Sequence, residues 1–369
     1  MTGVALVAAA ALTLSACAAE AGADPSGVDA ATATSIADFG SFEALEEAAK
    51  AEGQLNVIAL PRDWANYGEI LDLFAERYPE ITINEASPDA SSAEEIQAAE
   101  NLRGQDTAPD VFDLGLAVAL ASTDYFAPYK VQRWDDIPDA LKESNGLFYA
   151  DYGGYMAVGY DPDAVPAPTS LQDLLRADYR GKVAINGDPT QAGAAFAAVG
   201  MATVQNGGTL DDFSAGIDFF EELNSVGNFI KIDPTPATIA SGETPVVFDW
   251  DYLNAGYAAN LEGQRNWEVV IFDGTGYAGY YNQAINKDAP NPAAARLWME
   301  FLYSPDAQNL WLKGGARPVL AEAMAAAGEI DEALYSALPE APEDTVVPSA
   351  EQSEAAGALL GQRWAAAVQ

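Results

Sequence analysis

"QLNVIALPRDWANYGEILDLFAERYPEITINEAS", residues Gln54 to Ser87, carries two periodicities in one stretch. Gln54 to Pro61 is a short apolar run of strand length. Trp64 to Pro79 spaces Ile70, Leu71, Phe74 and Tyr78 onto one side of a helix, and Ile81 to Ser87 reads again as a strand. Upstream, SFEALEEAAKAEG (Ser41 to Gly53) reads as a helix. Ser41 caps it, Glu43 sits near the positive end of its dipole, and Gly53 stops it. Ala44 stands where a full capping box would place Glu or Gln. Downstream come a helix, SSAEEIQAAENLRGQ, and a strand, PDVFDLG. Strands alternating with amphipathic helices predict an α/β fold, with a parallel sheet covered on both faces. Ligands of such sheets gather beyond the carboxyl ends of the strands.

The theme continues. DYRGKVAINGDP is a strand leading into a helix of small residues from Thr190 onward, GGTLDDFSAGIDFFEELNSVG is a helix, and ETPVVFDWD is a strand. GGYMAVGYDPDAV and YYNQAINKDAP read as two further strands. PNPAAARLWMEFLYSPDAQNLWLKGG is a helical pair broken near Pro305, followed by a helical tail. No short repeat is visible, which disfavours solenoids and propellers.

The 369 residues are 49% hydrophobic and 20% charged, as in a globular chain with real cores. With 17 Lys+Arg against 56 Asp+Glu and no histidine, the formal net charge is -39. Such a field repels nucleic acid, so no nucleic-acid partner is expected. The absence of histidine removes Ser-His-Asp and Cys-His nucleophile systems and histidine-bearing zinc sites. Carboxylate chemistry and oxygen-ligand metal sites stay open.

The amino terminus reads as an address. Val4 to Ala16 is an apolar run of signal-peptide length, shorter than the roughly 20 residues of a spanning helix. Leu14-Ser15-Ala16-Cys17 looks like a bacterial lipobox, with Cys17, the only cysteine, as the lipid attachment point. A signal normally opens on Lys or Arg, and none precedes this run. Residues 1–16 are then a signal peptide and 17–40 a flexible tether rich in small polar residues, with the fold starting near Ser41.

Several residues are candidates for a binding site. Trp64 lies in the turn after a strand with Asp63 beside it; its indole either stacks on an organic ligand or closes the following helix. Asp113, at the same sheet edge, either pairs with an ammonium or caps a helix. Tyr152 and Tyr155 flank a Gly-Gly and either line a cleft or pack at a hinge. Gly187 to Gly193 opens a helix after a strand, where Thr190 and Gln191 either bind an anion or simply cap. It is not a Walker loop, lacking the Gly-Lys-Ser/Thr ending. Asp249 and Asp251 alternate with Trp250. They have four readings: a glycosidase acid pair, a calcium site, a cradle for an ammonium boxed by aromatics, or solvated strand ends. Period two puts Trp250 on the opposite face from both aspartates unless the strand ends at Asp249, which frees Trp250 and Asp251 to meet one ligand.

Taken in order, these pieces resemble the solute-binding proteins of bacterial ABC importers, in the large two-lobed class. The resemblance rests on the lipobox, Pro61-Arg62-Asp63-Trp64 after the first strand, PDVFDLG, and GGYMAVGYDP as a hinge strand. It continues through TSLQDLLRADYRGKVAINGDPTQAG and SGETPVVFDWDY, with YYNQAINKDAPNPAAARLWMEFLYSPDAQ as the return hinge. It implies a type II periplasmic-binding-protein-like fold with a cleft between lobes joined by hinge strands. Lobe 1 is expected at 41–155 plus 268–315, and lobe 2 at 156–267 plus 316–369.

Within that class the chain looks closest to the polyamine and iron-type branches. The resemblance matches Trp64 with Asp63, and Trp250 with Asp249 or Asp251, to the aromatics and carboxylates that hold polyamines. Polyamine binders usually carry an aspartate at the return hinge, where this chain has Tyr280, Tyr281 and Asn282. Ferric binders of the broader group use a Tyr-Tyr pair. The resemblance thus implies an extracytoplasmic, lipid-anchored receptor that performs no chemistry and needs no cofactor or metal. It would close on a small solute and deliver it to a membrane permease. A cationic amine or polyamine leads, and an aminophosphonate or similar zwitterion, ferric iron, or a secreted carboxylate glycosidase are the alternatives.

Overall fold

The computed structural model describes residues 29–340, 342 and 344–369. Residues 1–16, expected to be a signal peptide, and Cys17 lie outside them. Two short helices, α1 (Ile36–Phe39) and α2 (Phe42–Glu52), lead into β1 (Gln54–Ile58), α3 (Tyr67–Arg77), β2 (Thr82–Ala86), α4 (Ser92–Asn101) and β3 (Val111–Gly115). Then α5 (Leu116–Ala121) follows β3 without a loop, and β4 (Phe126–Ala127) precedes the long β5 (Phe148–Tyr160). The second lobe is built from β6 (Val183–Ile185), α6 (Gly193–Gln205), α7 (Ser214–Ser225), α8 (Pro236–Ser241), β7 (Val246–Trp250), α9 (Asp251–Asn260) and β8 (Glu268–Val270). The chain returns through β9 (Ala278–Asn286) to α10 (Pro292–Leu302), α11 (Pro305–Lys313), β10 (Arg317–Pro318), α12 (Ala321–Ala327), α13 (Glu332–Ala337) and α14 (Ala350–Ala367).

The sheet is mixed, where the alternation of strands and helices predicted a parallel one. Among the strand pairs of the described residues, only β1–β2 and β6–β7 run parallel. Antiparallel pairing enters through the two crossing strands. The first part of β5 pairs with β9, as does β3, and Met156 to Tyr160 of β5 pair with β7. One continuous strand therefore passes from lobe to lobe, and β9 brings the chain back. Glycines permit this close passage. A Cβ on Gly153 would sit 2.3 Å from the Gly279 carbonyl oxygen, and one on Gly154 2.3 Å from Asp251 Oδ1.

The folded part begins earlier than Ser41. Residues 29–40, read as tether, lie on the first lobe: Ala30, Ala33 and Phe39 are buried, and Ser35 bridges to Lys130. The anchor is Arg296, on α10. Its guanidinium donates to the carbonyls of Ala33 (2.8 Å) and Ala31 (3.0 Å), a long-range contact that local composition does not announce. Lobe boundaries shift similarly. Residues 268–270 pair with the second-lobe part of β5, and α13 packs on α11 of the first lobe. The tail helix α14 touches both α5 and α7.

The first core is aromatic. Phe74 of α3 meets Trp298 and Phe301 of α10 with ring centroids 5.2 Å away, and α10 is buried along its length. In the second lobe the apolar helix α6 lies against α7 and β7, with Phe220 between Phe248 and Trp364.

Candidate functional site

The lobes meet where β3 and α6 face each other. A Cβ on Gly115 would lie 2.8 Å from Gly193 Cα, and the Ala93 N–H donates across the gap to the Gln191 carbonyl at 3.3 Å. This is a closed arrangement, made possible by backbone meeting backbone without side chains between.

Around that contact stands a set of rings. Tyr281 of β9 stacks on Tyr152 of β5 (5.6 Å, 8°) and meets the edges of Trp64 (5.6 Å) and Trp250 (6.3 Å). Trp64 Nε1 donates to the Tyr152 hydroxyl at 2.8 Å, and that hydroxyl donates to Asp113 Oδ2 at 2.9 Å. Tyr67 donates to the same oxygen at 3.0 Å, and Gln283 Nε2 reaches both the Tyr67 hydroxyl and Asp151 Oδ2. Asp113 sits mid-strand, buried, and caps no helix. Burial pushes its pKa up, while the hydrogen bonds of Tyr152 and Tyr67 oppose the shift. Glu95 of α4, unread in the sequence, accepts from the Asp113 N–H, and burial raises its pKa well above normal. Its second oxygen, Asp113 Oδ1, the Tyr252 hydroxyl and Trp250 Nε1 are buried without a well-formed hydrogen bond.

The two aspartates of VVFDWDY part company. The strand ends at Trp250 and α9 starts at Asp251 with no intervening loop, so the expectation that Trp250 and Asp251 share one ligand does not hold. Asp251 accepts from the Tyr155 N–H (2.8 Å) and from Arg317 Nη1 (3.0 Å), whose guanidinium lies 4.1 Å from the Tyr155 ring centre. Asp249 stays within β7. It is fully buried and accepts from the Trp250 N–H (2.9 Å), Asn186 Nδ2 (2.9 Å) and the Tyr257 hydroxyl (3.2 Å). Burial, without a compensating cation, pushes its pKa up to about 7. Asp63, exposed on the first lobe, is near enough for its charge to raise the pKa of Tyr257. Carboxylates of both lobes thus approach one phenol.

Tyr280 and Tyr281 occupy opposite faces of β9. Tyr280 lies over Gly153, and its surroundings include Tyr155 and Arg317. The two phenols therefore meet different neighbours, and among the described residues no three of His, Cys, Asp or Glu gather as a metal site. Thr190 donates its N–H and hydroxyl to Asp188 Oδ1, and α6 starts three residues later without a side-chain cap. Thr190 and Gln191 are exposed at the cleft edge. A cavity of about 510 Å³ opens beside the glycine contact. Thr190, Gln191, Trp250, Tyr280 and Tyr281 line it, and Asp63, Trp64, Asp113, Tyr152, Asp249 and Asp251 do not.

The raised pKa of Asp249 has a stability consequence. The folded state keeps a proton that the unfolded chain, with an ordinary aspartate value near 3.8, has released, so stability falls as pH rises from about 4 to about 7. Asp110 and Glu300, also pushed to about 7 by burial, add to the slope. Asp249→Asn is expected to unfold later than the parent at pH 8, by on the order of 2–3 kcal/mol, with the gap narrowing towards pH 5. Denaturant titrations at the two pH values check it; a gap that does not change with pH would show that Asp249 is ionised throughout.

The geometry is that of a two-lobed binding protein, and the sequence comparison agrees. The family model for the bacterial extracellular solute-binding proteins matches residues 108–338, and the chain belongs to that family. No curated protein matches the sequence. Among solved structures, an ABC transporter substrate-binding protein from Bradyrhizobium japonicum superposes with a TM-score of 0.65 at 18% identity, covering 86% of this chain and 100% of that one. The periplasmic binding protein AfuA from Actinobacillus pleuropneumoniae, with fructose-6-phosphate bound, gives 0.64 at 16% identity over 85% and 96%. A ferric binding protein from Campylobacter jejuni gives 0.61 at 14% identity over 85% and 99%. At these identities the likeness is one of fold. The family is one of binding proteins, not enzymes, and it places the chain outside the cytoplasm as the solute receptor of an ABC importer. No helix among the described residues is long and apolar enough to cross a membrane.

Proposed function

We propose that the receptor captures an organic amine in the inter-lobe cleft, tethered to the membrane by lipid on Cys17, and presents it to its permease. One observation supports the ligand class: Asp63 of the first lobe and Asp249 of the second approach the Tyr257 phenol, Asp113 holds the Tyr152 phenol, and among the described residues no free cation is paired with them. Arg62 is held by Asp72 and Glu85, and Lys142, at the cavity edge, is bound to the carbonyls of Trp134 and Ile137. An ammonium would supply the missing charge through charge-assisted hydrogen bonds, with indole and phenol faces around it. A phosphate ester would find only helix ends there. For ferric iron, no three of His, Cys, Asp or Glu gather among the described residues, and Tyr280 and Tyr281 meet different neighbours.

Thermal unfolding of the purified receptor tests the reading. A diamine or monoamine at one hundred times its Kd is expected to stabilise the fold by about 2.7 kcal/mol. Loss of that shift in Asp249→Asn, with folding intact, assigns the charge. A shift with a sugar phosphate or ferric citrate, and none with amines, would sink the proposal.

A further inference from the structure

The cavity of about 510 Å³ is unlike the carboxylate-bearing side of the cleft. Its walls come from α5, α6, β9 and the tail helix α14, and they are apolar, with Ile96, Leu116, Leu120, Phe148, Phe196 and Val347 among them. The two charged residues at its edge are engaged elsewhere: Lys142 as described, and Glu143 by the N–H groups of Asn145 and Leu147. Two polar side chains line the chamber without a well-formed hydrogen bond. Trp250 is only 3% exposed and its Nε1 has the Tyr281 phenol alone nearby; Ser353 is fully buried and its hydroxyl is unpaired. A buried donor set in an apolar wall is costly unless something accepts from it. Trp250 also touches Tyr281, which stacks on the Tyr152 ring beside Asp113.

We propose that this chamber is the second compartment of the ligand site and that the solute is an amphiphilic amine. Its ammonium head sits at the carboxylates, and its apolar aryl or alkyl body fills the chamber. The Trp250 N–H and the Ser353 hydroxyl donate to an oxygen carried on that body. A thin polar polyamine would leave such a chamber unfilled, and pockets of this size ordinarily hold a ligand with a substantial apolar body. The inference rests on the amine reading above, which supplies the head group. It goes beyond that reading by specifying the body.

Isothermal titration of the purified receptor with three matched probes tests both parts: butylamine, 4-phenylbutylamine and 4-phenylbutanol. Two variants narrow the chamber from its two adjoining helices, Ala117→Phe on α5 and Gly357→Leu on α14. A Cβ at Gly357 meets nothing within 4 Å, so its leucine has room, and melting curves report whether each variant folds. The expected result is that 4-phenylbutylamine binds at least tenfold more tightly than butylamine, with that advantage lost in a folded filled variant while butylamine binding is unchanged. Equal affinities for the two amines, or an advantage that survives both filled variants, would remove the chamber from the site and leave the amine reading standing. Binding of the alcohol alone, lost when the chamber is filled, would overturn the amine reading and with it the class named here.

Discussion

Replacing Arg317 by methionine is expected to cost about 3–5 kcal/mol of stability at pH 8, because it strands a buried charge. Arg317 and Asp251 form an ion pair at 3.0 Å with side-chain exposures of 15% and 2%. The same guanidinium stacks on Tyr155 and bonds the Pro339 carbonyl, so it ties the hinge strand, the first turn of α9 and the tail together. Methionine keeps most of the apolar stem and removes the charge. Asp251 then has no cation, and its pKa, already raised by burial, rises further. Protonation offers it a way out, so the loss is expected to shrink at pH 5. Asp251→Asn in the same chain should recover most of the loss, because the asparagine oxygen still accepts from the Tyr155 N–H. A melting temperature lowered by on the order of 5–10 °C is the readout for the single variant. If the double variant is no more stable than Arg317→Met, then packing on Tyr155, rather than the ion pair, holds the hinge.

That contact also marks where sequence reading stops. The βαβ unit of Gln54 to Ser87 was legible because each element declares itself by the spacing of its own apolar residues. The helical pair around Pro305 was legible for the same reason. Strand direction is not written in that way. FYADYGGYMAVGY reads as a strand, but nothing in it says that its two halves pair with different partners, and so the sheet came out mixed rather than parallel. The stretch at 29–40 is compositionally a tether, and only an arginine more than 250 residues away makes it part of the lobe.

Some of the candidate residues are neighbours in the fold and others are not. Tyr281 meets both Trp64 and Trp250, and Asp249 accepts from Tyr257. Asp251 was misread because the strand stops at Trp250 and the helical turn swings the next side chain towards Arg317. That arginine lies in an unremarkable Gly-Gly-Ala-Arg-Pro segment. Nothing in the sequence sets Glu95 apart from the other glutamates of its helix. Its neighbour Glu94 does cap the helix, while Glu95 turns inward to Asp113. The wall contributed by α14 had no signal at all, since an Ala-rich tail says nothing about which cleft it crosses.

Closure itself is open to a single-residue test. Gly115→Val is expected to weaken ligand binding by on the order of 100-fold, equivalent to about 2.7 kcal/mol, while leaving the melting temperature of the ligand-free protein nearly unchanged. Gly115 has an ordinary extended conformation (φ −61°, ψ 143°), so valine is allowed there and suits the end of a strand. In the closed form its Cβ would stand 2.8 Å from Gly193 Cα, backbone that no rotamer change can move. The lobes would have to part, breaking the Ala93–Gln191 bond and opening the wall beside Tyr281, whereas in an open form the same side chain meets solvent. Gly193→Ala, whose Cβ would lie 3.0 Å from Gly115 Cα, should show the same effect more weakly. Small-angle scattering supplies the conformational readout: the parent should contract on saturation with ligand and Gly115→Val should not. A valine variant that contracts normally and binds as the parent does would mean that the glycine contact is not where closure stops.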